Sequence, residues 1–247
     1  MVLLAIENLS KSFDGLTALS GINFQIEEGE IVGLIGPNGA GKTTLMNVIS
    51  GVYPPSSGRI FFKGSEISGL PPYSIARFGI GRTFQIEEPF RSLTTVDNVA
   101  IGALFGTNRR RASVKEAVKE AKELLTDLGL QKSLNSPVNE LSIRERKKME
   151  LAKALAMRPE LLMLDELMAG LNYHEIEEII ELIKRVNQSR VSIIIIEHVM
   201  KAIMAVSQRI IVLHHGSMIA DAHPEKVVND ETVIKAYLGQ RYGASRK

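Results

Sequence analysis

The chain has no cysteine, so neither a disulfide nor a thiolate metal site is open to it, the usage of a protein that works in a reducing compartment. Charge of one sign is also missing: 30 Lys and Arg stand against 28 Asp and Glu, which gives no case for nucleic acid as the main partner. Long apolar runs are scarce. The start, Met1-Val2-Leu3-Leu4-Ala5-Ile6-Glu7, is too short and lacks the basic flank of a signal peptide. The run Val191 to Ile196 stops at Glu197-His198, far short of the ~20 residues of a membrane span. Repeats, low-complexity tracts and sustained heptads are absent as well. What remains is 247 residues, 45% hydrophobic and 23% charged, the balance of a soluble globular protein sized for one domain or a core with one subdomain. Any membrane association is then expected through a partner.

The most informative stretch is Gly36-Pro37-Asn38-Gly39-Ala40-Gly41-Lys42-Thr43-Thr44, which fits G-x-x-x-x-G-K-[ST]. An apolar run, Ile31-Val32-Gly33-Leu34-Ile35, leads in as a buried strand, and a helix-forming run from Thr43 to Ser50 leads out. Glycines allow positive φ, so backbone N–H groups close around anionic oxygens at the positive end of the helix. Lys42 then offers a point charge to the terminal phosphates and the Thr43 hydroxyl a ligand for Mg²⁺. A plain glycine-rich turn is the bland alternative; the strand and helix around the motif favour nucleoside triphosphate binding.

The rest of the pattern predicts an α/β protein. Residues 2–7 and 22–26 alternate like half-buried strands, Arg59–Gly64 reads as another, and Ile80–Phe84 leads to Gln85. From about 86 to 157 the pattern turns helical, with a capping box at Ser113–Glu116 and apolar residues on one face until Gly129. The last third alternates strands (161–165, 191–197, 209–213) with helices (174–188, 199–207), which implies a mainly parallel sheet covered by helices. We expect one domain over 1–247, with a core of about 1–85 and 158–247 and a helical subdomain of about 86–157. Arg109-Arg110-Arg111 is countered by Glu116, Glu120 and Glu123, and reads as a solvated face.

Three strand ends carry chemistry. Leu161-Leu162-Met163-Leu164 finishes in Asp165-Glu166, whose side chains are expected on opposite sides of a strand. Asp165 suits Mg²⁺, held through water, and Glu166 suits a general base for an attacking water. His198 closes a second strand and suits a γ-phosphate contact; Gln85 closes a third and suits water and Mg²⁺. Each alone is a weak signal that mere solvation of a strand end would explain.

The ordered set of the P-loop, Thr83-Phe84-Gln85, Leu141-Ser142, Leu164-Asp165-Glu166, Ala169-Gly170-Leu171-Asn172 and Glu197-His198 resembles the ATP-binding subunits of ABC transporters over essentially the whole chain. Gly81–Gln85, Met168–Asn172 and the ending Ala236-Tyr237-Leu238-Gly239 are similar to branched-chain amino-acid importers. The resemblance implies a P-loop NTPase of ABC type, with a mainly parallel core, an N-terminal antiparallel β part and an inserted helical subdomain. It implies ATP and Mg²⁺ as cofactors. Gly36 to Thr44 would hold nucleotide, Phe13 would stack on adenine, and Thr43, Gln85 and Asp165 would serve the metal. Glu166 would be the catalytic base, assisted by His198 and Gln85, and Ser142 would face the γ-phosphate of an opposing subunit. The implied partners are a second ATP-binding subunit, integral permease subunits and, indirectly, an extracytoplasmic solute-binding protein, with no nucleic acid. The implied place is the cytoplasmic face of the membrane.

The chain departs from that family at the signature, usually Leu-Ser-Gly-Gly-Gln, which reads Leu141-Ser142-Ile143-Arg144-Glu145. Arg144 replaces the second glycine, and Ser142 to Glu145 also spells a capping box. Because importers of this kind commonly pair two different cassettes, we favour a heterodimer over a homodimer. Two rival functions stand beside ATP-driven import: a nucleotide-binding subunit with weak hydrolysis, and a soluble ABC-type ATPase outside transport.

Overall fold

The computed structural model describes residues 1–84, 89–106 and 113–238. In chain order the first elements are β1 (Val2–Phe13), β2 (Leu16–Glu27), β3 (Ile31–Ile35), α1 (Lys42–Ile49), β4 (Ser57–Phe62), β5 (Ser65–Glu66), α2 (Pro72–Phe78) and β6 (Ile80–Arg82). Then come α3 (Thr95–Phe105), α4 (Val114–Asp127), α5 (Ile143–Ala156), β7 (Leu161–Asp165), α6 (Tyr173–Gln188), β8 (Ser192–Ile196) and α7 (Met200–Val206). The chain closes with β9 (Arg209–His214), β10 (Ser217–Ala222), α8 (Pro224–Val228) and α9 (Glu231–Leu238). Contacts group them into two compact units, Met1–Pro72 with Ser192–Lys247, and Tyr73–Val191.

The first unit holds an antiparallel sheet in the order β2-β1-β4-β5. Strands β1 and β2 run longer than their apolar alternation suggested, because Asp14 (φ 44°) and Gly15 (φ 89°) form a two-residue turn whose left-handed backbone matches strand twist. In the same unit β3 pairs in parallel with β8 and β9, and β10 returns antiparallel to β9. All five residues of β3 and all five of β8 are buried, so neither strand alternates; the one polar side chain, Ser192 at the start of β8, accepts from Gly29 N–H at 2.8 Å. Strand β10 and helices α8 and α9 carry no strong periodic signal and were not foreseen.

The second unit contains the parallel pair β6 and β7, with helices α3, α4 and α5 packed on one another. Helix α4 starts on the Ser113–Glu116 capping box and buries Ala117, Ala121 and Leu125, as its spacing predicts, although Val114 stays exposed. Helix α6 buries Ile179, Ile180, Leu182 and Ile183, while Ile176 and Val186 remain half-buried at the edge of that stripe. The helical segment predicted from the sequence falls in this unit, which also takes in α2, β6, β7 and α6. Among the described residues no helix is long and apolar enough to cross a membrane.

Candidate active site

Strand β3 ends at Ile35 and the chain turns through Gly36 (φ 153°), Gly39 (φ 77°) and Gly41 (φ 104°) into α1. Two of these glycines are required by close approach. A Cβ on Gly36 would lie 2.2 Å from the Leu213 carbonyl oxygen, and one on Gly41 would lie 2.7 Å from that of Ala18. Gly41 caps α1 without a side-chain hydrogen bond, and the first turn holds no acid. The positive end of this helix is therefore left to an external anion. Lys42 is buried, and its Nζ donates to the carbonyls of Gly36 (2.7 Å) and Pro37 (3.1 Å), which holds the ammonium against the loop. Gly39 to Thr44 line a cavity of about 330 Å³ with Leu16, Thr17 and Ala18 on one side and His215 and Gly216 on another. Pro37 and Asn38 form the outer arc of the loop, where Ala40 N–H closes onto the Pro37 carbonyl at 3.1 Å. The β9–β10 turn is tied in by Gly216 N–H to the Ala40 carbonyl (3.0 Å) and Ser20 N–H to the Gly216 carbonyl (2.8 Å).

In the second unit Asp165 ends β7 and is 1% exposed. Arg82 Nη2 donates to its Oδ2 at 2.9 Å, and the Asp165 N–H donates to Thr83 Oγ1 at 3.2 Å. Burial lowers the pKa of the Arg82 guanidinium, against the opposing pull of the hydrogen bond and charge of Asp165. The expected strand geometry for the carboxylate pair needs correction at its second member. Glu166 is already outside β7, at φ 51°, so a left-handed turn and not strand alternation separates it from Asp165. That conformation is uncommon for a residue with a Cβ and concentrates at functional sites.

The donor chemistry suits Mg²⁺, a hard cation that takes one or two carboxylates along with substrate phosphates. Among the described residues no group of three or more His, Asp or Glu gathers as a dedicated cage, and such a metal does not need one.

The family model described as ABC transporter matches residues 19–169, more than half of the chain. The chain belongs to the ABC transporter family as an ATP-binding cassette. A second model, the branched-chain amino acid ATP-binding cassette transporter, matches residues 217–242 of the cassette. It is 38% identical over 250 residues to the high-affinity branched-chain amino acid transport ATP-binding protein BraF of Pseudomonas aeruginosa, covering 96% of this chain and 98% of that one. Among solved structures, the ADP conformation of the cassette MJ1267 superposes with a TM-score of 0.88 at 28% identity, over 97% of this chain and all of that one. The dimeric post-hydrolysis state of the cassette MJ0796, bound to ADP and Pi, gives 0.82 at 26% identity over 90% and 99%.

The signature of this cassette forms the start of α5. Ser142 is an exposed N-cap whose Oγ accepts from Glu145 N–H (3.3 Å), while Glu145 Oε2 accepts from Ser142 N–H (3.0 Å) and Oγ–H (2.7 Å). Glu145 also accepts from the Ser133 hydroxyl at 2.5 Å; that bond first, and those from Ser142 next, hold its carboxyl below the usual range. Arg144 extends to Glu178 Oε2 at 3.4 Å, where Lys148 already donates to Oε1 at 2.6 Å. Asn172 caps α6 in the same reciprocal way with Glu175, a task asparagine and aspartate perform equally.

His198 is exposed just beyond β8, and Phe13 ends β1 edge-on to Tyr53 at 5.1 Å with Lys11 Nζ 4.8 Å above its ring. Gln85 lies outside the described residues. Sequence reading missed Arg82 on Asp165 and His215 beside the P-loop. The positive φ of His215 (47°) marks a tight turn, but its neighbour is set by sheet order, which local sequence does not state.

Proposed function

We propose that this cassette is the ATP-hydrolysing subunit of an importer for branched-chain or chemically related amino acids. The observation that carries this reading is the match of residues 217–242 to the branched-chain amino acid cassette model, a segment beyond the general ATP-binding region. In this reading Gly36 to Thr44 wrap the phosphates, the Lys42 ammonium offsets their charge, and Phe13 takes the adenine. Thr43, Gln85 and Asp165 hold Mg²⁺, which when bound neutralises charge on the phosphates. Glu166 accepts the proton of the attacking water, and His198 steadies the γ-phosphate. Ser142 acts on the nucleotide of a second, non-identical cassette facing it head to tail. The segment of about 86–157 is the helical subdomain, and its surface between Gln85 and about residue 105 receives integral permease subunits at the cytoplasmic membrane face, with a solute-binding protein on the far side.

The test is hydrolysis and uptake by the assembled transporter in vesicles, with this subunit carrying Glu166→Gln. Nucleotide binding retained with turnover lost supports the assignment of the base. Parental turnover would remove it. Uptake driven by this complex for leucine, isoleucine and valine, compared with urea and short amides, decides the solute class.

A further inference from the structure

Arg82 and Asp165 form an ion pair taken almost wholly out of water, their side chains 6% and 1% exposed and their polar atoms 2.9 Å apart. Such a pair resists loss of either member, because removing one takes a hydrogen-bonded opposite charge away from a buried ion. The guanidinium also meets an aromatic ring: its central carbon lies 4.9 Å from the centroid of Phe84, two residues beyond the end of β6. The adjoining Thr83 is pinned to β7 from both sides, by its N–H on the Met163 carbonyl (2.9 Å) and its Oγ1 under the Asp165 N–H (3.2 Å). The metal carboxylate, the cation on it and an aromatic ring thus form one continuous contact chain inside the second unit.

We propose that Arg82 is a positioning residue of the metal site, the resting counter-cation of Asp165, which the divalent cation displaces in part when it arrives with nucleotide, loosening the Phe84 ring stacked on Arg82. The proposal rests on the reading of Asp165 as the metal carboxylate. Two cations sharing one carboxylate oppose each other, and the coupling is reciprocal: the factor by which the metal weakens the hold of Arg82 is the factor by which Arg82 weakens the metal. Arg82 therefore keeps the metal site folded and charge-balanced between turnovers, and metal occupancy is transmitted to the Phe84 ring.

The experiment titrates Mn²⁺ into the full chain with saturating ADP, read by electron paramagnetic resonance, for the parent, Arg82→Met, Arg82→Lys, Asp165→Asn and the Arg82→Met/Asp165→Asn double variant. We expect Arg82→Met to bind Mn²⁺ about tenfold tighter, Arg82→Lys to stay within about twofold of the parent, and the Arg82→Met effect to vanish in the Asp165→Asn background. Without metal, Arg82→Met should melt below the parent, with the gap narrowing once Mg²⁺ and ADP are added. Unchanged or weaker Mn²⁺ binding in Arg82→Met, with Asp165→Asn impaired, overturns the role of Arg82 and leaves the reading of Asp165 standing. Unchanged binding in Asp165→Asn overturns that reading and the proposal with it. Should Arg82→Met fail to fold, the Nε resonance of Arg82 in the parent, assigned by its loss in Arg82→Lys, serves instead. It must shift when Mg²⁺ joins ADP, and a signal that stays fixed overturns the proposal.

Discussion

Helix α1 begins at Gly41, which offers its first turn no side chain, whereas α5 begins at Ser142 with a hydroxyl and the Glu145 carboxylate folded over its first N–H groups. Both starts are places where a helix presents positive charge, and in both the family expects phosphate. At α1 the first turn carries no acidic residue, and the Lys42 ammonium donates to the Gly36 and Pro37 carbonyls of the loop. At α5 an internal anion already sits where an external one would bind, and Arg144, in place of the usual glycine, is drawn toward Glu178. The same physics thus makes one start a binding site and the other a self-satisfied cap. The difference lies in the cap residue and the first turn. For a head-to-tail pair of cassettes, this asymmetry implies that the chain contributes a strong P-loop to its own ATP and a weak signature to its partner's.

The largest expected effect breaks the strong side. In the assembled complex, Glu166→Gln should reduce hydrolysis at this chain's P-loop by about 10²- to 10⁴-fold while leaving ATP affinity within about twofold, measured by single-turnover hydrolysis beside equilibrium binding. Next comes Lys42→Ala, which removes a charge-assisted contact and should weaken ATP binding by about ten- to a hundredfold in a titration with a fluorescent nucleotide. If it leaves affinity intact, the open start of α1 alone suffices and the contrast must be redrawn.

The weak side is sharpened by Arg144→Gly with Glu145→Gln, which restores a small residue and removes the competing carboxylate. With Glu166→Gln also in this chain to silence its own site, hydrolysis by the partner should rise by about tenfold. A rise instead at this chain's own P-loop, with the partner's base silenced, would show that the asymmetry runs the other way.

The smallest effect is a stability one. Hydrogen bonds hold the Glu145 carboxyl below its unfolded pKa, so its contribution is complete above the ordinary carboxylate range, about pH 4.3, and is lost as the pH falls through the lower folded value. Glu145→Gln should therefore melt slightly below the parent at neutral pH, by under about 1 kcal/mol for a half-buried group at a helix cap, and the two should converge in acid. A gap that persists at low pH would assign the cap to packing rather than charge.

What could be read in the sequence follows from how local each feature is. The P-loop, the Ser113 and Ser142 helix starts and the buried strands β3, β7 and β8 are written in runs of a few residues, because hydrogen-bonding geometry and burial act over one turn or one strand. The β1–β2 hairpin was legible too, in Asp14-Gly15, but went unread because the outer halves of both strands are solvated and show no apolar alternation. The solute class came from similarity to known cassettes and not from any physical property of the site. Only the tertiary structure decided that Arg82 is the cation on Asp165, that His215 and Ala18 wall the P-loop cavity, that Glu166 turns out of its strand, and that Arg144 meets Glu178. Those pairings join residues 34 to 197 positions apart, or hang on one backbone angle; which groups meet depends on strand order and helix packing, and no short stretch of sequence carries that information.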